Sequence, residues 1–497
     1  MLDSDGKSQN VKTKRMSEDP CLRLAAGVCA ACGKGPQGEA LLSPCGACRD
    51  VAYCDAACQR AHWKVHKTEC KEKASARWRA ALASAEAGDR GGQFDAAVCL
   101  EFGRGVDKDI HQAVLWYRKS AEQGHVAAQN NLAAILDAGL GGVGKDVAQA
   151  VKWWRRSAEA GYPLAQNSLG LVLRDGRSGV VAVDLAAAVA WFQRAAEAGN
   201  ARGQLHLGLC LEQGLGVAKN TAEAVVLYRR AADAGLVVAQ WNLGRCYLEG
   251  IGVDKAPKRA LTWFRRAADA GHADSAYTVG LLLQDGVHVP RDAGQAVAYY
   301  RRAAEGGVLD AQCNLGNCLL ESGDPKQAVV WFRRAAERNH AGALYNLGLC
   351  LVNGAVPVDA EQAASAFRRA ADSGHPEAQF NLGILYERGQ GVPVDAARGV
   401  SWYRRAAEGG FAVAQFNLAL CLRDGRGVAA DKTESAAWLR RAAEQGHADA
   451  QFSLALCYAQ GQGVEVDPGQ TALWLRKAAA AGQATARSLL AEGGFAT

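Results

Sequence analysis

The sequence predicts an all-α protein, a right-handed solenoid of paired helices preceded by a small cysteine-rich module. Two observations lead to this prediction: a segment of the form W-[YF]-R-R-A-A-E-x-G recurs from about residue 73 onward, and half of the 16 cysteines lie before position 71. At 497 residues the chain exceeds the usual size of one compact core. An internal repeat is therefore the first architecture to test.

A closing glycine marks each repeat of this segment. Successive markers are 32 to 38 residues apart, and Asn339 stands where one glycine is expected. The glycines are Gly88, Gly124, Gly161, Gly199, Gly235, Gly271, Gly307, Gly374, Gly410, Gly446 and Gly482. A period this regular indicates a stack of identical supersecondary units.

Each period contains two apolar segments with helical spacing. In one repeat they are residues 239–250 and 259–271, joined by a Gly-Val-Asp loop. Leu243 and Tyr247 recur on one helix face, and small residues such as Gly244 allow the partner helix to approach closely. The closing glycine, or Asn339, is expected in the left-handed conformation that ends the second helix.

The phrases AQFNLGILYERGQGV (378–392) and SWYRRAAEGG (401–410) resemble the Sel-one-like repeat, a relative of the tetratricopeptide repeat. The resemblance covers roughly residues 90–490. It implies a capping helix at 73–91, eleven repeats over 92–482, and a second capping helix with a tail at 483–497. The repeat at 308–339 has a shorter, tetratricopeptide-like loop.

Eight potential metal ligands lie in close pairs before the repeats. Structural zinc sites take four Cys or His ligands each, so eight ligands indicate two closed sites that stabilise the segment and leave no position for catalysis. The predicted zinc ligands are Cys29, Cys32, Cys45, Cys48, Cys54, Cys58, His66 and Cys70.

The run YCDAACQRAHWKVHKTEC (53–70), with the two earlier C-x2-C pairs, resembles a MYND zinc finger over residues 29–70. The resemblance implies interleaved ligation, which spacing alone does not assign. One zinc would be held by Cys29, Cys32, Cys54 and Cys58, and the other by Cys45, Cys48, His66 and Cys70. His62, one helical turn before His66, is a competing ligand.

MYND fingers dock short proline-containing peptides, and the positions that match this surface are Gln59 and Trp63. An exposed Trp stacks on proline rings, and a Gln amide bonds an extended backbone. The alternative is that Trp63 only covers the zinc core. Residues 12–15 (KTKR), in a tail predicted to be disordered over 1–28, are either a nuclear-entry sequence or merely solubilising.

The first helices of the repeats offer a second candidate surface. An asparagine recurs just before the core Leu, where it could bond the backbone of an extended peptide or instead tie neighbouring helices together. These residues are Asn131, Asn242, Asn314, Asn346, Asn381 and Asn417. Cysteines at another first-helix position are expected to be buried thiols rather than disulfide pairs; they are Cys99, Cys210, Cys246, Cys318, Cys350, Cys421 and Cys457.

Charge argues against a nucleic-acid binder. The net charge is only +6, and the recurring Arg pairs are followed at i+4 by acidic residues such as Asp269, Glu337 and Glu408, which are expected to neutralise them. The histidines after the closing glycines are predicted to be turn residues too sparse to chelate a metal.

The sequence therefore predicts a non-catalytic scaffold or adaptor whose partners are other proteins. No phosphate-binding loop or nucleophile elbow occurs, and there is no room for a SET domain between Cys70 and the first repeat. The alternatives are a transcriptional or chromatin co-regulator recruited through the finger and a factor in assembling degradation machinery. With no long apolar run and no secretory signal, a cytoplasmic or nuclear location without membrane contact is expected.

Overall fold

The computed structural model describes residues 43–44, 52–53, 56–177, 179–354 and 357–491, with side chains from residue 67 onward. The predicted tail at 1–28, with its KTKR segment, lies outside the described residues. So do Cys29, Cys32, Cys45, Cys48 and Cys54.

A short hairpin and a long helix precede the repeats. Strand β1 (Ser43–Pro44) pairs antiparallel with β2 (Ala52–Tyr53), and helix α1 (Ala56–Glu86) follows. The remaining described elements are helices, which confirms the predicted solenoid of helix pairs.

Each repeat contains a first helix, here called helix A, and a second, helix B. The A helices are α2 (Arg90–Phe102), α4 (Val126–Ala138), α6 (Pro163–Asp175), α8 (Ala201–Gln213), α10 (Val237–Glu249), α12 (Ala273–Asp285), α14 (Leu309–Glu321), α16 (Ala341–Val352), α18 (Pro376–Arg388), α20 (Ala412–Asp424) and α22 (Ala448–Gln460).

The B helices alternate with them along the chain. They are α3 (Ile110–Glu122), α5 (Val147–Glu159), α7 (Leu185–Glu197), α9 (Thr221–Asp233), α11 (Pro257–Asp269), α13 (Ala293–Glu305), α15 (Pro325–Glu337), α17 (Ala360–Asp372), α19 (Ala396–Glu408), α21 (Lys432–Glu444) and α23 (Pro468–Ala480). A short 3-10 turn (Leu140–Gly142) follows α4, and α24 (Ala484–Ala491) follows the last repeat. The chain divides into two compact units, one up to residue 231 and one from residue 232.

Helix A and helix B meet where a ring of helix B covers a glycine of helix A. A Cβ placed on Gly244 would lie 2.6 Å from the Phe264 ring, and one on Gly383 would lie 2.6 Å from the Tyr403 ring. Tyr403 is 2% exposed. The repeated glycine therefore provides the space for the largest core side chains.

Caps explain where the helices begin and end. Most B helices start after an Asp whose carboxylate accepts a backbone N–H, as Asp395 does from Arg398 at 2.9 Å. The predicted closing glycines all have positive φ, and Asn339, with φ of 59°, is the only non-glycine residue with positive φ among the described residues. The predicted left-handed caps are thus confirmed.

Helix α1 crosses the predicted boundary between the finger and the capping helix. It runs without interruption from Ala56 to Glu86, and α2 of the first repeat begins at Arg90. Ala74 and Ala85 of α1 are buried, and α1 packs against α2. The helix expected at 73–91 is therefore the second half of a longer helix that ends at Glu86.

The cysteine row on the A helices lies in the core, as predicted. Cys210, Cys246, Cys350, Cys421 and Cys457 are buried, while Cys99 and Cys318 are half-buried. No disulfide joins these described thiols. Burial raises the pKa of Cys421 and Cys457 above the usual thiol value, as expected for small hydrophobic residues.

None of the helices within the described ranges combines the length and the apolar composition needed to cross a bilayer.

Candidate partner-binding surfaces

The described part of the finger consists of the hairpin and the start of α1. Cys45 directly follows β1, Cys54 directly follows β2, and α1 carries Cys58, His66 and Cys70. The side chain of Cys70, the one ligand whose side chain is described, is 1% exposed. A buried thiol at this predicted ligand position fits a closed structural zinc site. Among the described side chains, no other His, Cys, Asp or Glu cluster could hold a metal ion.

The two predicted peptide-docking residues, Gln59 and Trp63, belong to α1. Their side chains, like those of Cys58, His62 and His66, lie outside the described residues. The backbone nevertheless places the two docking positions on the same helix that packs against the first repeat.

The six predicted asparagines make contacts inside the protein. Asn242, 4% exposed, donates to the Val238 carbonyl at 3.0 Å, and Asn417 donates to the Val413 carbonyl at 2.9 Å. These two bonds lie within a single helix. Each bond satisfies the side-chain amide nitrogen, so neither Asn needs a bound peptide as an acceptor.

The other four asparagines reach neighbouring helices. Asn346 donates to Asn317 of the preceding A helix at 2.8 Å, and Asn131 lies 3.4 Å from the Tyr117 hydroxyl of helix B. The amides of Asn314 and Asn381 contact tyrosine hydroxyls in the same way. These contacts favour the alternative that the asparagines tie helices together, and a role in partner binding stays a prediction.

A buried glutamine row was missed in the sequence. The fourth residue of most A helices is a Gln. Its side chain donates to a carbonyl near the end of the preceding helix, as Gln415 does to Ala407 at 3.0 Å. The others are Gln93, Gln129, Gln166, Gln204, Gln240, Gln312, Gln379 and Gln451. This carbonyl also accepts the N–H of the closing glycine, as Ala407 does from Gly410 at 3.0 Å, so each Gln adds a second hydrogen bond to the cap and ties two successive helices together. The A-Q dipeptide that recurs in seven of these nine helices could have revealed it.

An aliphatic surface lies two residues after the core Leu of several A helices. In four successive repeats this position carries Leu349, Ile384, Leu420 and Leu456, all partly exposed, with Leu456 at 36%. We call these four residues the helix-A row. Helix α16, which carries Leu349, touches the preceding A helix α14. The sequence alone does not distinguish this row, because its Leu and Ile residues resemble those of the core.

Helix B exposes large aliphatic residues only singly, and its half-buried Trp116, Trp153 and Trp191 each have a Lys or Arg of the same helix over the ring. Leu115, Val226, Val330 and Leu473 are 43% to 52% exposed, but the same position in intervening repeats holds small or polar residues such as Ser401. Isolated exposed side chains are normal, whereas a contiguous row indicates a binding surface.

The arginine pairs are neutralised differently from the prediction. Arg404 pairs with Glu434 of the next repeat rather than Glu408, and Asp269 accepts from Arg302 of the next repeat at 3.0 Å. At Arg404 and Asp269 the expected i+4 pairing is therefore replaced by contacts between repeats. The second arginines also stack on a helix-B aromatic, as Arg405 does 4.6 Å from the Trp402 ring centre.

Four of the recurring histidines cap helices with their side chains, and His375 at the same position does not. His125 and His447 each precede an A helix, and their Nδ1 atoms accept the backbone N–H of Ala128 and Ala450, both at 3.2 Å.

Comparison with known proteins places these features in two families. The MYND finger model matches residues 29–70. The Sel1 repeat model matches eleven successive segments between residues 91 and 483.

Among solved structures, a protective antigen from uropathogenic Escherichia coli with an SLR fold is 33% identical, covers 83% of this chain and 88% of its own, and has a TM-score of 0.73. A Sel1 repeat protein from Oxalobacter formigenes is 31% identical over 69% of this chain and 89% of its own, with a TM-score of 0.38.

A curated relative, SET domain-containing protein 14 of Caenorhabditis elegans, is 52% identical over 40 residues. That match spans 8% of this chain and only 9% of the relative. With the repeat model matching well over half of its length, the chain belongs to the Sel1 repeat family and carries a MYND finger ahead of its repeats.

Proposed function

We propose that this protein is a non-catalytic scaffold that binds two kinds of protein partner, one through the MYND finger and one through the helix-A row. Sel1 repeats and MYND fingers are both protein-interaction modules, so an adaptor is the function that the two families support. The helix-A row supports the finer proposal, because four adjacent repeats leave an aliphatic side chain partly exposed at one position.

The partner of the helix-A row is an extended peptide with apolar side chains. Successive A helices present one aliphatic residue each, and the flanking Asn346, Asn381 and Asn417 are already bonded within the protein. Recognition then depends on apolar contact rather than on an amide ladder. The partner of the finger is a proline-containing peptide at Gln59 and Trp63, the positions given by the MYND resemblance.

A pull-down with matched variants tests both surfaces. Leu420→Glu/Leu456→Glu places two charges in the helix-A row, and Leu115→Glu/Leu473→Glu places the same charges on helix B. We expect only the helix-A variant to lose a set of partners when purified from native cells and analysed by mass spectrometry. Equal partner lists for the two variants, at equal thermal midpoints, would remove the helix-A row from the proposal.

The finger is tested by Gln59→Ala/Trp63→Ala in the same experiment. We expect partners with proline-containing segments to disappear while bound zinc is unchanged. Loss of zinc would instead show that Trp63 covers the zinc core. An unchanged partner list would leave the solenoid as the sole binding module.

Zinc is expected at two ions per chain, with structural roles only. The eight Cys and His ligands fill two tetrahedral sites, so each ion would stabilise the finger and leave no open coordination position. Elemental analysis of the purified chain measures the ratio. One ion per chain would contradict interleaved ligation by all eight residues.

We also propose that the protein has no catalytic activity and acts in the cytoplasm or nucleus. The short match to a SET-domain protein makes methyl transfer the activity to test, with labelled S-adenosylmethionine and total cell protein; labelling would contradict the proposal. Imaging of the tagged chain tests the co-regulator alternative, which requires a nuclear fraction.

A further inference from the structure

A histidine lies at the contact between successive A helices in several repeats; we call these contacts joints. In three of them the imidazole both caps helix A and lies beside an aromatic ring of the preceding A helix. His125 stacks on Phe94 with ring centres 4.6 Å apart, and His447 stacks on Phe416 at 4.9 Å. The ring of His272 lies 6.1 Å from that of Trp241.

The cap requires a neutral imidazole. Nδ1 of His272 accepts the backbone N–H of Ser275 at 3.1 Å, as the other two histidines accept from the third residue after them. A protonated imidazole carries hydrogen on both ring nitrogens and cannot accept this bond. It also places a positive charge at the helix N-terminus, where the backbone dipoles already repel cations.

We propose that these histidine caps make the solenoid acid-sensitive, because protonation of His125, His272 and His447 breaks the first hydrogen bond of α4, α12 and α22 and loosens the joints between the repeats.

Each histidine has different charged neighbours. His125 faces Arg90 and Asp89 at the start of α2, and burial followed by Arg90 lowers its pKa. Burial also lowers the pKa of His272, against the opposing charge of Asp274 on its own helix. At His447, exposed Asp449 lies two residues on, and the facing start of α20 (411–416) has no charged residue.

For His125 and His272 the direction of the pH effect follows from these shifts. A histidine with a lowered pKa in the folded state contributes its full stability above the unfolded pKa of about 6.5, and this contribution is lost as the pH falls toward the folded value. The aromatic face attracts an imidazolium and offsets part of the loss. We therefore expect the first turn of each capped helix to open as the pH falls.

His340 provides an internal contrast. Its Nδ1 caps α16 by accepting from Ala343 at 3.1 Å, but its Nε2 lies 3.0 Å from the Asp310 carboxylate of the preceding A helix. Protonation therefore forms an ion pair at this joint. His340 is left unchanged in the test.

The chain also contains the matched non-titrating cap. In the fourth repeat Asn200 occupies the same position and accepts the N–H of Gly203 at 2.8 Å through its side-chain oxygen. The triple variant His125→Asn/His272→Asn/His447→Asn therefore keeps the caps and removes their titration. The control is His111→Asn/His288→Asn, which replaces two exposed histidines that cap no helix.

Thermal midpoints of the zinc-loaded full chain are compared at pH near 7.5 and near 5.5. We expect wild type and control to lose about 3 °C more than the triple variant on acidification, given the usual contribution of an N-cap and the size of the units. Burial lowers the pKa of His206 to about 4. Its protonation should destabilise all three proteins equally, so it does not change the difference between them. An equal loss in all three would overturn the proposal.

Hydrogen exchange gives a local readout that does not depend on the overall midpoint. At the lower pH the amides of Ala128, Ser275 and Ala450 should exchange several-fold faster in wild type than in the triple variant. The amide of Gly203, capped by Asn200, should exchange at the same rate in both. Equal rates at the three histidine-capped amides, or imidazole pKa values above 6.5 by NMR, would also overturn it.

Discussion

Helix A and helix B of each repeat differ in what they leave available. Helix B directs its charged residues at neighbouring repeats, as Arg404 does at Glu434, and stacks others on its own aromatics. Helix A uses its polar residues inside the joints but leaves the helix-A row uncovered in four successive repeats. Charged side chains thus cover aromatic rings on the helix-B side, whereas the helix-A side leaves a row of aliphatic residues that can contact a partner.

The largest expected effect concerns the contact between the two helices. Gly383→Ala places a methyl group 2.6 Å from the Tyr403 ring and 3.1 Å from the Gly399 carbonyl oxygen. We expect a loss of about 1–3 kcal/mol in the free energy of unfolding, because a packed core accommodates an added methyl only with strain. Urea unfolding followed by circular dichroism measures it.

The control for this variant is Gly294→Ala, at an exposed helical position where the new Cβ meets only the Asp292 carboxylate at 3.6 Å. There the better helix propensity of Ala should stabilise the protein by up to about 1 kcal/mol. Adding Tyr403→Leu to Gly383→Ala should recover stability, since the next repeat pairs Ala419 with Leu439 in its core. No recovery in the double variant would mean that the ring is not what the glycine accommodates.

The smallest expected effect concerns the charged side. Arg404→Gln removes an ion pair whose two side chains are each about a third exposed, and we expect a loss below about 1 kcal/mol that shrinks in high salt. The hydrogen bond lowers the pKa of Glu434, so the stabilisation is present at neutral pH and is lost as the pH falls through that lowered value.

A salt titration of urea midpoints tests this. Arg265→Gln is the matched control because Arg265 donates to neutral Gln295 at 3.1 Å, so its effect should not depend on salt. A salt-independent loss of several kcal/mol at Arg404 would show that helix B is essential to the joints and would weaken the distinction between the two sides.

The sequence predicted whatever depends on local conformation. The repeat period, the two helices, the left-handed glycines and the exceptional Asn339 all follow from helix periodicity and from the φ angles that each residue tolerates. The buried cysteines were predicted because one helix position always faces the core.

Contacts between residues about thirty positions apart could not be predicted in the same way. The arginine pairs had acidic residues both at i+4 and in the next repeat, and only the packing of successive B helices selects Glu434 for Arg404. The histidines were interpreted as turn residues because capping depends on which residue begins the helix. The partly exposed helix-A row differs from core leucines only in its position relative to neighbouring repeats.

Helix α1 contributes one further consequence through its continuity. Its 31 residues contain no glycine or proline and carry the two predicted docking positions near one end and the first repeat's packing surface near the other. With a rise of about 1.5 Å and a rotation of about 100° per residue, a single residue inserted after Cys70 would barely lengthen this connection but would turn the docking positions to another side. The orientation of the docking positions relative to the first repeat is therefore set by helical phase, and whole turns can be added between them while the phase is kept.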